Sequence, residues 1–415
     1  MVALNLDGVL KMNNQFKEEL QVMVLTEMSD QFKRAYVQVI VNMTFDDDKN
    51  IDADELSEIL LLMTRLQLSK EVRFDVRTYI DSISEETQIA TKTLISEIKE
   101  LSDSSQHQSV MISLVKDIIN AHYSSKKNFD GDVSFVALNK ELFGLSEKEI
   151  NFAYQAVLDG FKILDENVDD NKIREGASKL AATAAAVGAP IAAVYISGSV
   201  VGLSAAGVTS GLATLGLGMG VTGGLAVLGA VGFLTYAGVR HVSGVSELDK
   251  FKVKQMMLNE ALKQTHLTIK EVIEDINYLV SKLNETMAES EINREKLLIA
   301  EDKVSRFVAA LKKISDRADR FENSVSRTKC PKKLYQYGFY KLSKEPTKKP
   351  LYDFVMKHYF KADQEGGVVY FLNDRASTSE LDKVAEILEK LGYFDEVKSF
   401  DARVRRVTRS FFKYR

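Results

Sequence analysis

Along the first 175 residues, apolar positions recur every three or four residues. Phe32, Tyr36, Val39, Ile40 and Met43 share one helix face, and so do Leu56, Ile59, Leu60, Met63 and Leu66. The stretches Val72–Ile83, Thr91–Leu101, Val110–Tyr123, Phe135–Phe143 and Lys148–Ile163 repeat the pattern. Residues 1–175 therefore predict an acidic bundle of about seven or eight helices. Further on, Leu258, Leu262, Thr265, Ile269, Val272, Ile276, Leu279 and Leu283 step by alternating fours and threes. Val304, Phe307, Leu311, Ile314, Ala318, Phe321 and Val325 do the same. A polar stretch, residues 284–295, separates these seams. Residues 245–328 thus predict helices of roughly 40 and 35 residues, near 50–60 Å each. They either fold back as an antiparallel pair or continue past a kink, as a separate coiled coil or as part of ordinary bundle packing. Residues 329–415 predict a small α+β domain. VVYFL at 368–372 reads as a strand, Ser377–Leu391 as a helix capped by Ser377 or Thr378, and Phe394–Phe400 as a second short strand.

Between the two helical regions the pattern changes. From Leu180 to Val239 there are 60 consecutive residues without Asp, Glu, Lys, Arg or His, and they hold 13 of the chain's 23 glycines. With 27% of the chain charged, such a gap is not sampling noise. A helical membrane span needs about 20 apolar residues, so the run has room for two spans and a turn. Cationic flanks at both ends favour an even number of crossings. Residues 176–244 are therefore expected to form a hydrophobic insertion hairpin. Its first arm is placed at Ala181–Leu203, kinked or started at Pro190. The break falls at Ser204–Ser210 and the second arm runs from Gly211 to Val239. Gly198 and Gly202, Gly207 and Gly211, and Gly216, Gly220 and Gly224 are spaced by four, which lets helix backbones approach closely in lipid. In water each glycine costs about 0.5–1 kcal/mol in a helix relative to alanine. Lys179 and Arg240 would mark the membrane surface. The competing reading is a hairpin buried permanently in the protein's own core.

Composition sharpens this. The net charge is −4, split as 19 Lys and Arg against 12 Asp and Glu in residues 329–415, with the excess acid in the rest. Arg403, Arg405, Arg406, Arg409, Lys413 and Arg415 interleave with Phe411, Phe412 and Tyr414. That mixture suits an anionic membrane surface, with Arg405, Arg406 and Arg409 as contacts. It also suits single-stranded nucleic acid or a solvated tail helix, although the overall charge argues against nucleic acid as the partner. The single cysteine, Cys330, excludes a disulfide framework and fits a reducing compartment. The first 20 residues lack the pattern of a secretory signal.

The acidic run Asp46, Asp47, Asp48, Asn50, Asp52, Asp54, Glu55 was compared with a calcium loop. Ile51 stands where the EF-hand turn needs glycine, and Ser57 where it needs a bidentate glutamate. Asp52 instead reads as a helix cap, with Asp54 and Glu55 in the first turn, against a weak metal site of another kind. No phosphate loop, nucleophile elbow, paired Cys-x-x-Cys or His-Glu-x-x-His occurs, and the five histidines are scattered. Neither an enzyme, a cofactor nor a metal is expected.

The run FKRAYVQVIVNMTFDDDKNIDADELSEILLLMTRLQLSKEVRFDVRTYI resembles the tellurite-resistance TerB-like helical domains, with Asp46–Asp52 as the acidic loop, Glu55 as the helix glutamate and Leu68–Ser69 as the turn. The resemblance covers at most about 150 residues and implies a stress-linked, metal-sensing module near membranes. The usual loop glycine is absent. VVGLSAAGVTSGLATLGLGMG is similar to the Gly/Ala-rich helices of small interferon-inducible membrane proteins, which implies membrane association. Long amphipathic helices flanking a charge-free element resemble, in organisation, cytolysin A type pore formers. The expected protein is mainly α: a helical bundle with long helices around a hydrophobic hairpin, plus the small C-terminal α+β domain. It would be cytoplasmic, and peripheral to or conditionally inserted in a lipid bilayer, as a homo-oligomer or with a helical partner protein. The expected activity is bilayer insertion and pore formation in toxicity, stress or defence. The alternative is a non-lytic anchored or soluble scaffold with the hairpin buried.

Overall fold

The computed structural model describes residues 28–125, 133–161, 168–189, 252–288, 294–364 and 367–397, with Leu25 and Ala193. Within them the chain is mainly helical, with a small three-stranded antiparallel sheet toward the C-terminus.

The first helices are α1 (Asp30–Asp48), α2 (Ala53–Arg65), α3 (Lys70–Ser82), α4 (Thr91–Glu100) and α5 (His107–Ser125). Their starts are set by side chains that accept orphan backbone N–H groups: Ser29 for α1, Asp52 for α2 and Ser69 for α3. Helix α1 is buried on nearly all sides, and α3, α4 and α5 pack around it. The predicted Phe135–Phe143 helix is instead two short pieces, α6 (Ser134–Leu138) and α7 (Lys140–Phe143). Asn139 interrupts it at φ −104° and ψ 11°, outside the helical region, with its side chain and its backbone N–H both donating to the Phe135 carbonyl at 2.9 and 3.1 Å. Helix α8 (Glu147–Phe161) packs on α5, and α9 (Asp170–Val187) packs on α8.

Helices α10 (Lys252–Ala288) and α11 (Arg294–Thr328) form an antiparallel hairpin. The direction follows from Leu258, near the start of α10, clustering with Phe321 and Val325 near the end of α11. The hairpin is not separate from the front helices. Val272, Phe307, Ala310 and Ile314 are buried in the same core as α1–α9, and both long helices lie on α2.

The C-terminal unit comprises β1 (Lys333–Leu334), α12 (Gln336–Leu342), α13 (Lys349–Lys357), β2 (Tyr359–Gln364), β3 (Gly367–Leu372) and α14 (Thr378–Lys390). The sheet order is β1-β3-β2, with Lys361 opposite Tyr370 and Lys333 opposite Phe371. Ser377 caps α14 in a reciprocal box with Glu380. The strand expected at Phe394–Phe400 is not found in its described part. Residues 393–397 are helical, and 398–400 lie outside the described residues. Gly392, at φ 71°, ends α14, and the buried Tyr393 hydroxyl accepts the Tyr335 N–H at 2.8 Å, which holds the chain against α12 rather than along the sheet edge. The end of α11 enters this second core: Ser326 and Lys329 bond Asp382 at 2.8 and 2.9 Å.

Candidate functional site

Of the predicted membrane residues, only Lys179 is described; it is exposed on α9. Pro190, Gly198, Gly202, Gly207, Gly211, Gly216, Gly220, Gly224 and Arg240 lie outside the described residues, as do Arg405, Arg406 and Arg409. What the structure defines is how the two flanks of the charge-free run are held.

The incoming flank is α9. It does not begin at Ala181, where the first arm was placed. It is one helix from Asp170, capped by Asp169, that continues to Val187 and stops before Pro190. Gly188 takes the left-handed conformation at φ 71°, and the Ala189 N–H returns to the Ala184 carbonyl at 3.0 Å, closing the helix end. Leu180, Ala184, Ala189 and Ala193 are buried in the main core, while Ala182, Ala185, Ala186 and Gly188 are exposed, so α9 lays one face of the run's start on the body.

The outgoing flank is α10, whose start is fastened to the start of α9. Asp170, 3% exposed, accepts the Lys254 backbone N–H at 2.9 Å. That amide is among the first four of α10, which have no partner within the helix, and the carboxylate also suits the positive end of the helix dipole. Helix α9 has 18 residues, so at 1.5 Å per residue its far end lies about 27 Å from this clamp. The described end of α9 and the start of α10 therefore lie roughly one helix length apart.

The long hairpin is clasped onto the body by charges. Arg73 and Arg77 of α3 converge on Asp275 of α10, and all three are at most 7% exposed. Arg73 also donates to the Glu271 carbonyl at 2.9 Å, and the Thr64 hydroxyl donates to the Glu271 carboxylate at 2.7 Å. The Arg77 guanidinium lies 4.7 Å from the Tyr278 ring centroid. On α11, Arg317 pairs with buried Glu58, Lys313 with Asp54 at 2.8 Å, and Lys303 and Arg306 approach Asp81 at 3.7 and 3.9 Å. Burial raises the carboxyl pKa of Asp275 and of Asp81, against the opposing pull of their cationic partners. Deeper still, Tyr36 donates to Asp117 at 2.7 Å, and Lys116 pairs with the same carboxylate at 2.7 Å. Burial pushes the Tyr36 phenol up and the Lys116 amine down. Tyr36, Lys116 and Asp117 are at most 2% exposed, so no solute reaches them and they act as an internal crosslink between α1 and α5.

The acidic run expected as a loop at Asp46–Asp52 is divided between two helices: Asp46, Asp47 and Asp48 end α1, and Asp52 caps α2. Asp52 accepts the Glu55 N–H at 2.8 Å and Glu55 accepts the Asp52 N–H at 3.1 Å. Burial pushes the Glu55 carboxyl up to about 7, opposed by the Asp52 N–H. Beside it, a cleft of about 270 Å³ is lined by Asp46, Asp47, His122 and Phe135, among others, with His122 Nδ1 4.0 Å from Asp47. Among the described residues no group of three or more His, Cys, Asp or Glu is placed to hold a metal ion. Burial pushes the Cys330 thiol up to about 12, and its Sγ donates to the Leu381 carbonyl at 3.3 Å, so it is a packed side chain rather than a nucleophile.

Asp170 and Asp275 were not singled out from the sequence. The four-residue spacing of Arg73 and Arg77 does place both on one face of α3, which is a readable signal for a shared anion. No family model, curated protein or solved structure matches the chain.

Proposed function

We propose that this is a membrane-active protein. Its helical body carries the charge-free run of residues 180–239 between two fastened helices and delivers it to a lipid bilayer. The observation that carries the reading is the run itself: 60 consecutive residues with no ionisable side chain, long enough for two spans and a turn. The clamp between Asp170 and Lys254 supports it, because both flanks stay anchored whatever the run does. In this reading the bundle and the long helices surround a hydrophobic hairpin, and insertion permeabilises the target membrane. Among the described residues no helix is long and apolar enough to cross a membrane, and this reading assigns the spans to the run. The test is dye release from anionic liposomes together with flotation of the full chain. Leakage is expected, and Gly211→Asp, a charge placed mid-run, should abolish it while the protein stays folded. Normal leakage from that variant refutes the run as the inserting element, and absence of both leakage and flotation refutes the proposal.

A second reading has its own observation. Ala189 and Ala193 are 7% and 0% exposed within the protein's core. If the rest of the run packs likewise, the protein is a non-lytic scaffold. Lipid-borne photolabels would then never reach residues 195–239.

A further inference from the structure

The side of the α10–α11 hairpin that faces away from the body carries a second apolar stripe. Residues two apart on a helix lie about 200° apart. Ile273 therefore sits nearly opposite Asp275, which faces the body, and Val308 nearly opposite Arg306. On α10 the exposed stripe is Ile273, Val280 and Met287, bordered by Leu262, Ile269 and Ile276, which are half-buried and also pack against the cores beneath them. Ile273, Val280 and Met287 are 44%, 37% and 55% exposed. Beside them on α11, Val308 is 48% exposed and Val304 is half-buried. Apolar residues at a 3–4 spacing on a solvent face form a seam for another helix.

Charges on the rim of this face are distributed by end. Leu258 lies against Phe321 and Val325, so Lys312 stands level with residue 271 of α10 and Glu301 level with residue 282. Exposed Lys270 and Lys312 thus mark the end nearer the start of α10, and exposed Glu301 marks the end nearer the hairpin tip. The geometry points to a two-fold dimer, in which a second copy's hairpin lies antiparallel across this face with its dyad near Ile276, completes a four-helix bundle and sets Lys312 of each copy against Glu301 of the other. The exposed stripe from Ile273 to Met287 is about 21 Å long and two helices are about 20 Å wide, so the apolar centre of the pair buries on the order of 800 Å², and the charged rim selects the antiparallel partner. A parallel arrangement would instead bring Lys312 against Lys312. This inference rests on the hairpin alone and does not depend on the membrane reading.

The test is sedimentation equilibrium of the full chain at micromolar concentration. A dimer is expected. Val280→Glu should weaken it at least tenfold, with helicity and thermal midpoint checked against wild type. Lys312→Glu, at an exposed position that leaves the fold alone, should also weaken it, and Lys312→Glu combined with Glu301→Lys should restore it. A monomeric wild type overturns the proposal. So does a dimer that neither single variant weakens, or one that the charge exchange fails to restore. If the wild type is monomeric and a Val280→Cys thiol resists alkylation, the face is covered by the chain's own segment and not by a second copy.

Discussion

Replacing Asp275 with alanine removes the one carboxylate on which Arg73 and Arg77 converge. Both guanidinium groups are 7% exposed, so water cannot replace what they lose. Arg73 keeps the Glu271 carbonyl and lies 3.6 Å from the Glu271 carboxylate, and Arg77 keeps the ring faces of Phe74 and Tyr278 and the more distant charge of Asp81. Breaking a buried pair by removing one partner costs about 3–5 kcal/mol when the remaining charge is left uncompensated, and Glu271 and Asp81 place this loss toward the lower end. The same helices provide an internal control. Lys313 and Asp54 pair at 2.8 Å with side chains 45% and 38% exposed, and Lys313→Ala should cost only about 0.2–1 kcal/mol, as exposed ion pairs do. Amide hydrogen exchange along α10 and α11, read with urea unfolding, separates the two. Asp275→Ala should lower the opening free energy of α10 amides near residues 268–280 by several times the effect of Lys313→Ala. An Asp275→Ala, Arg77→Ala cycle should show coupling above about 1 kcal/mol. If Asp275→Ala costs no more than Lys313→Ala, the charged clasp does not hold the hairpin, and apolar burial at Val272, Phe307 and Ile314 holds it unaided.

Asp170→Ala should cost about 1–2 kcal/mol through the lost cap and expose the Lys254 amide to early exchange, whereas Asp170→Asn, which keeps an acceptor, should lose far less; equal losses would argue against the cap. Glu55 has a folded pKa of about 7, above its ordinary value of 4.5. The folded state therefore binds more protons than the unfolded state between these values, and stability falls as pH rises through that window, by about 1–3 kcal/mol in total. Glu55→Gln keeps the acceptor for the Asp52 N–H and should flatten this fall in chemical unfolding between pH 4.5 and 7.5; an unchanged profile would locate the proton elsewhere.

The elements were legible where their causes are local. Recurrence at three and four residues marked α1, α2, α3, α10 and α11, and Asp52 and Ser377 announced helix starts, because a cap acts on an amide only two or three positions away. The strand at 368–372 was readable from its run of β-branched and aromatic residues. Its partner β2, reading YFKADQ, was not, since its pairing with β3 supplies what its composition lacks. The break at Asn139 was not legible because the apolar periodicity continues across it while one residue leaves the helical region. The first heptad seam of α10 was visible, and its second stripe, through Ile273 and Val280, follows the same spacing and could have been read from it.

By itself the sequence determined that this chain is helical, that its two long helices each carry a heptad face, and that a 60-residue stretch between Leu180 and Val239 carries no charge. Only the tertiary structure decided that α10 and α11 lie on the front bundle within one core, that Asp170 caps a helix 84 positions away, and that Lys116 and Asp117 are sealed inside. The reason is range: periodicity and caps act within about four residues, whereas a buried charge finds its partner only after packing has excluded water around both.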